Sequence, residues 1–201
     1  MSFKQLFPST IYFGKLDSKF DRKLNQDLLS DCYKLAEIDD EGLEWSEKNY
    51  PGGYTSYSSV PNLHLRFSTF EILRKKIDRK VKAYVKKLEL DLQENSLEMR
   101  TCWVNIMPPT AHHSLHLHPL SVISGTYYVS TPKRASPLKL EDPRLSLFMG
   151  RPPYKGLKAP FESFEPQAGH LALFESWMRH EVPAQQGKEN RVSISFNYEW
   201  V

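Results

Sequence analysis

The 201-residue chain is 40% hydrophobic, enough for one sizeable core, and its 27 basic and 24 acidic residues leave a net charge of +3. That excess is mild and gathers between Arg74 and Lys87, which argues against nucleic-acid binding, and two distant cysteines, Cys32 and Cys102, offer neither a disulfide framework nor a thiolate metal site. The opening MSFKQLFPST lacks the features of a signal peptide and no apolar run reaches membrane-spanning length, so one soluble, cytoplasmic domain is expected over 1–201.

In chain order, a short strand is expected around Tyr12. A helix follows from about Asp21 to Ala36, where Leu24, Leu28 and Cys32 recur at helical spacing. The stretch Glu41 to Pro61, rich in Gly, Ser, Tyr and Pro, reads as a long loop. Ser68 and Glu71 form a capping-box pattern, and Phe70, Leu73, Ile77, Val81, Tyr84 and Leu88 then share one helix face, leaving the basic residues on a solvated face. From Leu97 onward the texture changes to short β-type runs broken by Pro and Gly: MRTCWVNIM, VISGTYYVS, LKLED, HLALFESW and RVSISFNYEW. The order predicts an α+β, mainly β chain in which two N-terminal helices cover one sheet of a sandwich or open barrel.

Four of the seven histidines crowd into AHHSLHLHP, at His112, His113, His116 and His118. Residues two apart on a strand point to the same side, so His116 and His118 could present two nitrogens to one metal, although imidazole suits iron, zinc, copper and nickel alike. The C-terminal stretch adds a β-like run ending at His180, a polar turn, and a strand opening at Arg191. In that strand Arg191, Ser193, Ser195 and Asn197 share one face and Val192, Ile194, Phe196 and Tyr198 the other. A solvated edge would show the same alternation. The polar set, however, has no Lys or Glu and fits the lining of a pocket, where an arginine fork and a serine two residues on can grip one carboxylate.

The ordered set H-L-H-P-L-S-V-I-S-G-T-Y-Y-V, L-E-D-P-R, P-x-x-G-x-L-x-L-F-x-S-W-x-x-H-x-V-P and R-V-S-I-S-F-N resembles the iron(II)- and 2-oxoglutarate-dependent oxygenases, in a poorly characterised subgroup related to prolyl hydroxylases. The resemblance is strong over the second half of the chain and loose over the first. It implies a double-stranded β-helix, or jelly roll, with residues 1–95 as helical support and 96–201 as the metal-binding β core. It also implies iron(II) held by His116, His118 and His180, and 2-oxoglutarate as cosubstrate with its far carboxylate on Arg191 and Ser193. Tyr128 and Asn105 are expected to line the cosubstrate site, with Trp103, Ser124 and Thr126 as further lining residues. Molecular oxygen and a peptide or small-molecule substrate complete the expected partners, and exposed sheet edges would allow a homodimer.

One departure stands out, because the family usually places a carboxylate where this chain has His118. Either Glu141 or Asp142 supplies a carboxylate ligand, or the site is built from three histidines and the two acids serve a turn before Pro143. A cupin-like three-histidine dioxygenase without 2-oxoglutarate and a non-catalytic metal-binding jelly-roll module are the competing readings. His112 and His113 are either neighbours of the site or ordinary loop histidines. The segments Trp45 to Ser59 and Phe148 to Phe161 are the expected pocket rims.

Overall fold

The computed structural model describes every residue except 1, 5, 6, 145–148, 151, 153–159, 185 and 187. Two antiparallel sheets face one another. The larger contains β1 (Tyr12–Lys15), β2 (Tyr54–Thr55), β3 (Leu97–Met107), β5 (Ile123–Ser130), β8 (His170–Glu175) and β10 (Arg191–Trp200), in the order β1-β8-β5-β10-β3-β2. The smaller contains β4 (His113–His116), β6 (Leu138–Glu141), β7 (Phe161–Phe164) and β9 (His180–Val182), in the order β4-β9-β6-β7. Four helices are described: α1 (Arg22–Ile38), α2 (Asp40–Asn49), α3 (Leu63–Arg66) and α4 (Ser68–Leu88).

Strand alternation explains how the large sheet serves two neighbours. Val192, Ile194, Phe196 and Tyr198 of β10 join Leu28 and Cys32 of α1 and Leu73, Ile77 and Val81 of α4 in one apolar core. Arg191, Ser193, Ser195 and Asn197 turn toward the small sheet. Both faces of β10 are therefore covered, which accounts for the burial of Arg191, Ser193 and Asn197 as well as of the apolar residues. Leu28 and Ile77 are wholly enclosed, and truncating either to alanine would cost roughly 2–5 kcal/mol. A second, smaller core holds Met107, Leu138, Leu140, Ala172, Phe174 and Val182 between the sheets.

Helix α1 follows the expected apolar spacing and is capped by Asp21, whose side chain accepts from Leu24 N at 3.1 Å. Helix α4 shows the expected stripe, but Ser68 lies inside the first turn. No side chain caps that end, and Glu71 instead pairs with Lys75 at 2.6 Å. The segment expected as a loop from Glu41 to Pro61 contains α2 and β2. Asp39 starts α2 by accepting from Gly42 N at 3.0 Å, and the same carboxylate accepts from Tyr54 at 2.7 Å and Ser59 at 2.6 Å. The run expected to end at His180 breaks after Glu175. A turn through Ser176 moves the chain to the other sheet, where His180 opens β9. No helix among the described residues is long and apolar enough to cross a membrane.

Candidate functional site

The small sheet sets the first two histidines side by side: His116 and His180 are direct register partners between β4 and β9. His118 lies two residues beyond the end of β4 rather than on a shared strand. Its backbone N–H donates to Ser176 O at 3.1 Å, which pins the segment to the turn after β8. One ring nitrogen from each of His116, His118 and His180 lies within 4.8 Å of the other two, and among the described residues no acid joins this group. Glu141 closes β6 and pairs with Arg179 at 2.9 Å, while Asp142 pairs with Arg144 at 2.8 Å.

Backbone carbonyls orient two of the three rings. Nδ1 of His180 donates to Met178 O at 2.9 Å and Nδ1 of His116 to Ser114 O at 2.6 Å, so each Nε2 keeps its lone pair for a cation. His180 is buried, His118 half-buried and His116 exposed on one side. Desolvation first, then the charge of neighbouring rings, pushes His180 down to about 3 and His118 to about 4, and desolvation of the inner side of its ring also lowers His116. Neutral imidazoles that need no deprotonation, oriented by carbonyls, form a donor set that fits a divalent transition metal.

Across the cleft stands Arg191, only 2% exposed. Its guanidinium lies over the Tyr128 ring, 5.1 Å from the centroid, and Nη1 makes a long contact to Met107 Sδ at 3.8 Å. Among the described residues no carboxylate pairs with it. Arg191 Nε, the Tyr128 hydroxyl and the Tyr50 hydroxyl are all buried without a hydrogen-bond partner. Burial raises both phenols and the charge of Arg191 opposes the rise, so both rings sit within its field. A buried cation beside two unpartnered phenols, with no acid to balance it among the described residues, leaves a positive charge in the cleft that only an anion from outside could balance.

The cleft joins the two halves. Its walls include Trp103, Asn105, Thr126, Leu138, Phe174, Val182, Arg191, Ser193 and Ser195 along with the three histidines. Register explains the polar layer: Ser193 lies opposite Asn105 on one side and Tyr128 on the other, and Ser195 opposite Trp103 and Thr126. Asn105 donates to Ser195 Oγ at 3.0 Å. Ser124, expected to line the cleft, is instead buried in bonds to Ser176 at 2.7 Å and Asn197 at 2.8 Å.

His113 and His112 separate. His113 lines the cleft and stacks on Tyr50, with ring centroids 4.4 Å apart and planes 15° apart, whereas His112 is exposed. Tyr50 is the residue that sequence reasoning missed. Its segment was expected at the pocket rim, but nothing local marks a tyrosine at the end of α2 as a partner of β4. In the same segment Tyr57 packs edge-on against Trp103 at 5.0 Å, and Trp45 against Tyr57 at 6.4 Å. The other expected rim, Phe148 to Phe161, falls mostly outside the described residues.

Residues 101–197 match the family described as "Putative 2OG-Fe(II) oxygenase". No curated protein matches the chain. Among solved structures, a Pseudomonas putida prolyl-4-hydroxylase is 16% identical, with 95% of this chain and 92% of that one covered, at a TM-score of 0.61. HygX from Streptomyces hygroscopicus, solved with nickel and 2-oxoglutarate bound, is 13% identical over 95% of this chain and 83% of its own, at a TM-score of 0.62. The chain spans 47% of an oxidoreductase of the 2OG-Fe(II) oxygenase family from Burkholderia pseudomallei, at 18% identity over 53% of this chain and a TM-score of 0.41. At these identities the first two likenesses establish a shared fold.

Proposed function

We propose that this chain, whose residues 101–197 match the family described as "Putative 2OG-Fe(II) oxygenase", is an iron(II)- and 2-oxoglutarate-dependent dioxygenase that hydroxylates a peptide or small-molecule substrate. The facing sheets are read as a double-stranded β-helix within one domain, with residues 1–95 supporting the β core of 96–201. His116, His118 and His180 are the residues that would hold the metal. Together, bound iron(II) and 2-oxoglutarate supply the activation of oxygen and the oxidation of a substrate C–H bond.

The protein's own part is binding, orientation and exclusion of water. Arg191 presents a fixed fork to the far carboxylate of the cosubstrate, Ser193 adds a hydroxyl from the same face of β10, and the Tyr128 ring supports the guanidinium from behind the cleft wall. Asn105, whose amide donates to Ser195, belongs to the polar lining of the same cleft. Trp103, Leu138, Phe174 and Val182 exclude water, which strengthens every charge interaction inside.

The observation that carries this reading is the buried guanidinium of Arg191 without an acidic partner, facing three histidines. An unpaired buried charge costs several kcal/mol, and an anion that visits the cleft is the economical reason to keep one. The test is calorimetric titration of the nickel-loaded chain with 2-oxoglutarate. Wild type is expected to bind, and Arg191→Met to lose at least about 100-fold in affinity through the missing charge-assisted bonds. Equal affinity in both proteins would refute the role of Arg191. The absence of a carboxylate ligand favours a second reading, a cupin-like three-histidine dioxygenase without 2-oxoglutarate. It leaves Arg191 unexplained, and failure of the nickel-loaded wild type to bind 2-oxoglutarate would move it ahead. Failure to bind a metal at all would leave only a non-catalytic module whose histidines hold nothing.

A further inference from the structure

We propose that His118 makes metal retention conditional on the anion at Arg191: a divalent cation is held weakly by the three histidines alone and firmly once a 2-oxo dicarboxylate is seated. This rests on the functional reading above. The triad supplies no negative charge, and no acid joins it among the described residues. A cation placed there keeps both of its positive charges, with exposed His116 on its open side and buried His180, Leu138 and Phe174 limiting screening on the inner side. On the facing wall the guanidinium of Arg191 adds a third positive charge without an acidic partner.

The triad is also weakest at His118. Carbonyl oxygens accept from Nδ1 of His116 and of His180, which raises the basicity of the coordinating nitrogen in each ring. Among the described residues no such bond is made by the ring of His118. It is held through its backbone bond to Ser176 and by packing against Trp103, His116 and His180, at ring distances of 5.9, 5.2 and 5.1 Å. The position that lacks the carboxylate therefore also lacks the bond that would compensate for it.

A 2-oxo dicarboxylate answers both deficits. One carboxylate would offset one of the cation's two charges, and the other would neutralise Arg191, so three positive charges fall to one. Cation and dianion must then strengthen one another by the same factor, as linkage requires. A carboxylate in place of His118 would supply one of the missing charges from the chain itself, raising the affinity for cation alone and shrinking that factor.

Equilibrium dialysis of the full chain against nickel(II), with free metal corrected for its complex with 2-oxoglutarate, tests this. Saturating 2-oxoglutarate is expected to tighten nickel binding by wild type about 100-fold. His118→Asp, and His118→Glu as a second variant, are expected to bind nickel alone about tenfold tighter than wild type and to gain only about tenfold from 2-oxoglutarate. Wild type binding nickel alone as tightly as both variants, or equal gains in all three proteins, would overturn the proposal while leaving the oxygenase reading intact. Absence of any 2-oxoglutarate binding to nickel-loaded wild type would overturn both.

Discussion

Histidine protonation links the site to pH with a definite sign. His180 and His118 are held near 3 and 4 by burial, whereas in the unfolded chain an imidazole titrates at about 6.5. Between those limits the unfolded state binds more protons than the folded one, so the stability these neutral rings contribute is complete above about pH 6.5 and is lost as pH falls toward 4. Urea denaturation of the metal-free chain should show its midpoint falling steadily from pH 6.5 to 4.5. Replacing His180 with Gln should flatten that slope; an unchanged slope would mean that His180 is solvated in the folded state. Arg191 bears on stability in the opposite direction. Arg191→Met removes a buried unpaired charge, so it should stabilise the metal-free chain by about 1–3 kcal/mol while removing the anion seat.

At the scale of elements, α2 sets the pocket wall through one carboxylate. Asp39 ties the start of the helix to Tyr54 and Ser59, and the far end of α2 delivers Tyr50 to His113. Gly42 is required by this hub, because a Cβ there would lie 2.1 Å from Asp39 Oδ2 and 2.7 Å from Ser59 Oγ. Alanine would favour the helix by about 1 kcal/mol, yet the displaced carboxylate would leave buried donors unsatisfied at about 1–3 kcal/mol each. Gly42→Ala is therefore expected to destabilise the chain by about 2 kcal/mol in chemical denaturation, and a stabilised variant would contradict the hub.

Helix α2 was hidden from sequence reading for a physical reason: its buried positions are Gly42 and Ser46, so no apolar stripe marks it. Helices α1 and α4 and strand β10 were legible because each buries a periodic apolar face against the same core. The break between β8 and β9 was not. Phe174 and Met178 on either side of it are both buried, and the apolar run continues while the chain changes sheets.

In the whole molecule, the helices and the small sheet cover the two faces of the central strands β5, β8 and β10, and the cleft between the sheets gathers residues from distant parts of the chain. That His116, His118, His180, Arg191 and Ser193 line one cleft was readable because strand periodicity and their order in the sequence point to it. Tyr50 and the wall formed by Trp45, Tyr57 and Trp103 depend on contacts between the N-terminal region and β3 and β4, which no local pattern reports. The central claim is that this cleft binds iron(II) and 2-oxoglutarate together. The most direct test is an anaerobic titration of the metal-free chain with iron(II) and then 2-oxoglutarate, followed in the visible range. The account predicts a charge-transfer band that saturates at one equivalent of each, weakens in Arg191→Met and vanishes in His180→Ala. Tight iron binding with no band in excess 2-oxoglutarate would contradict it.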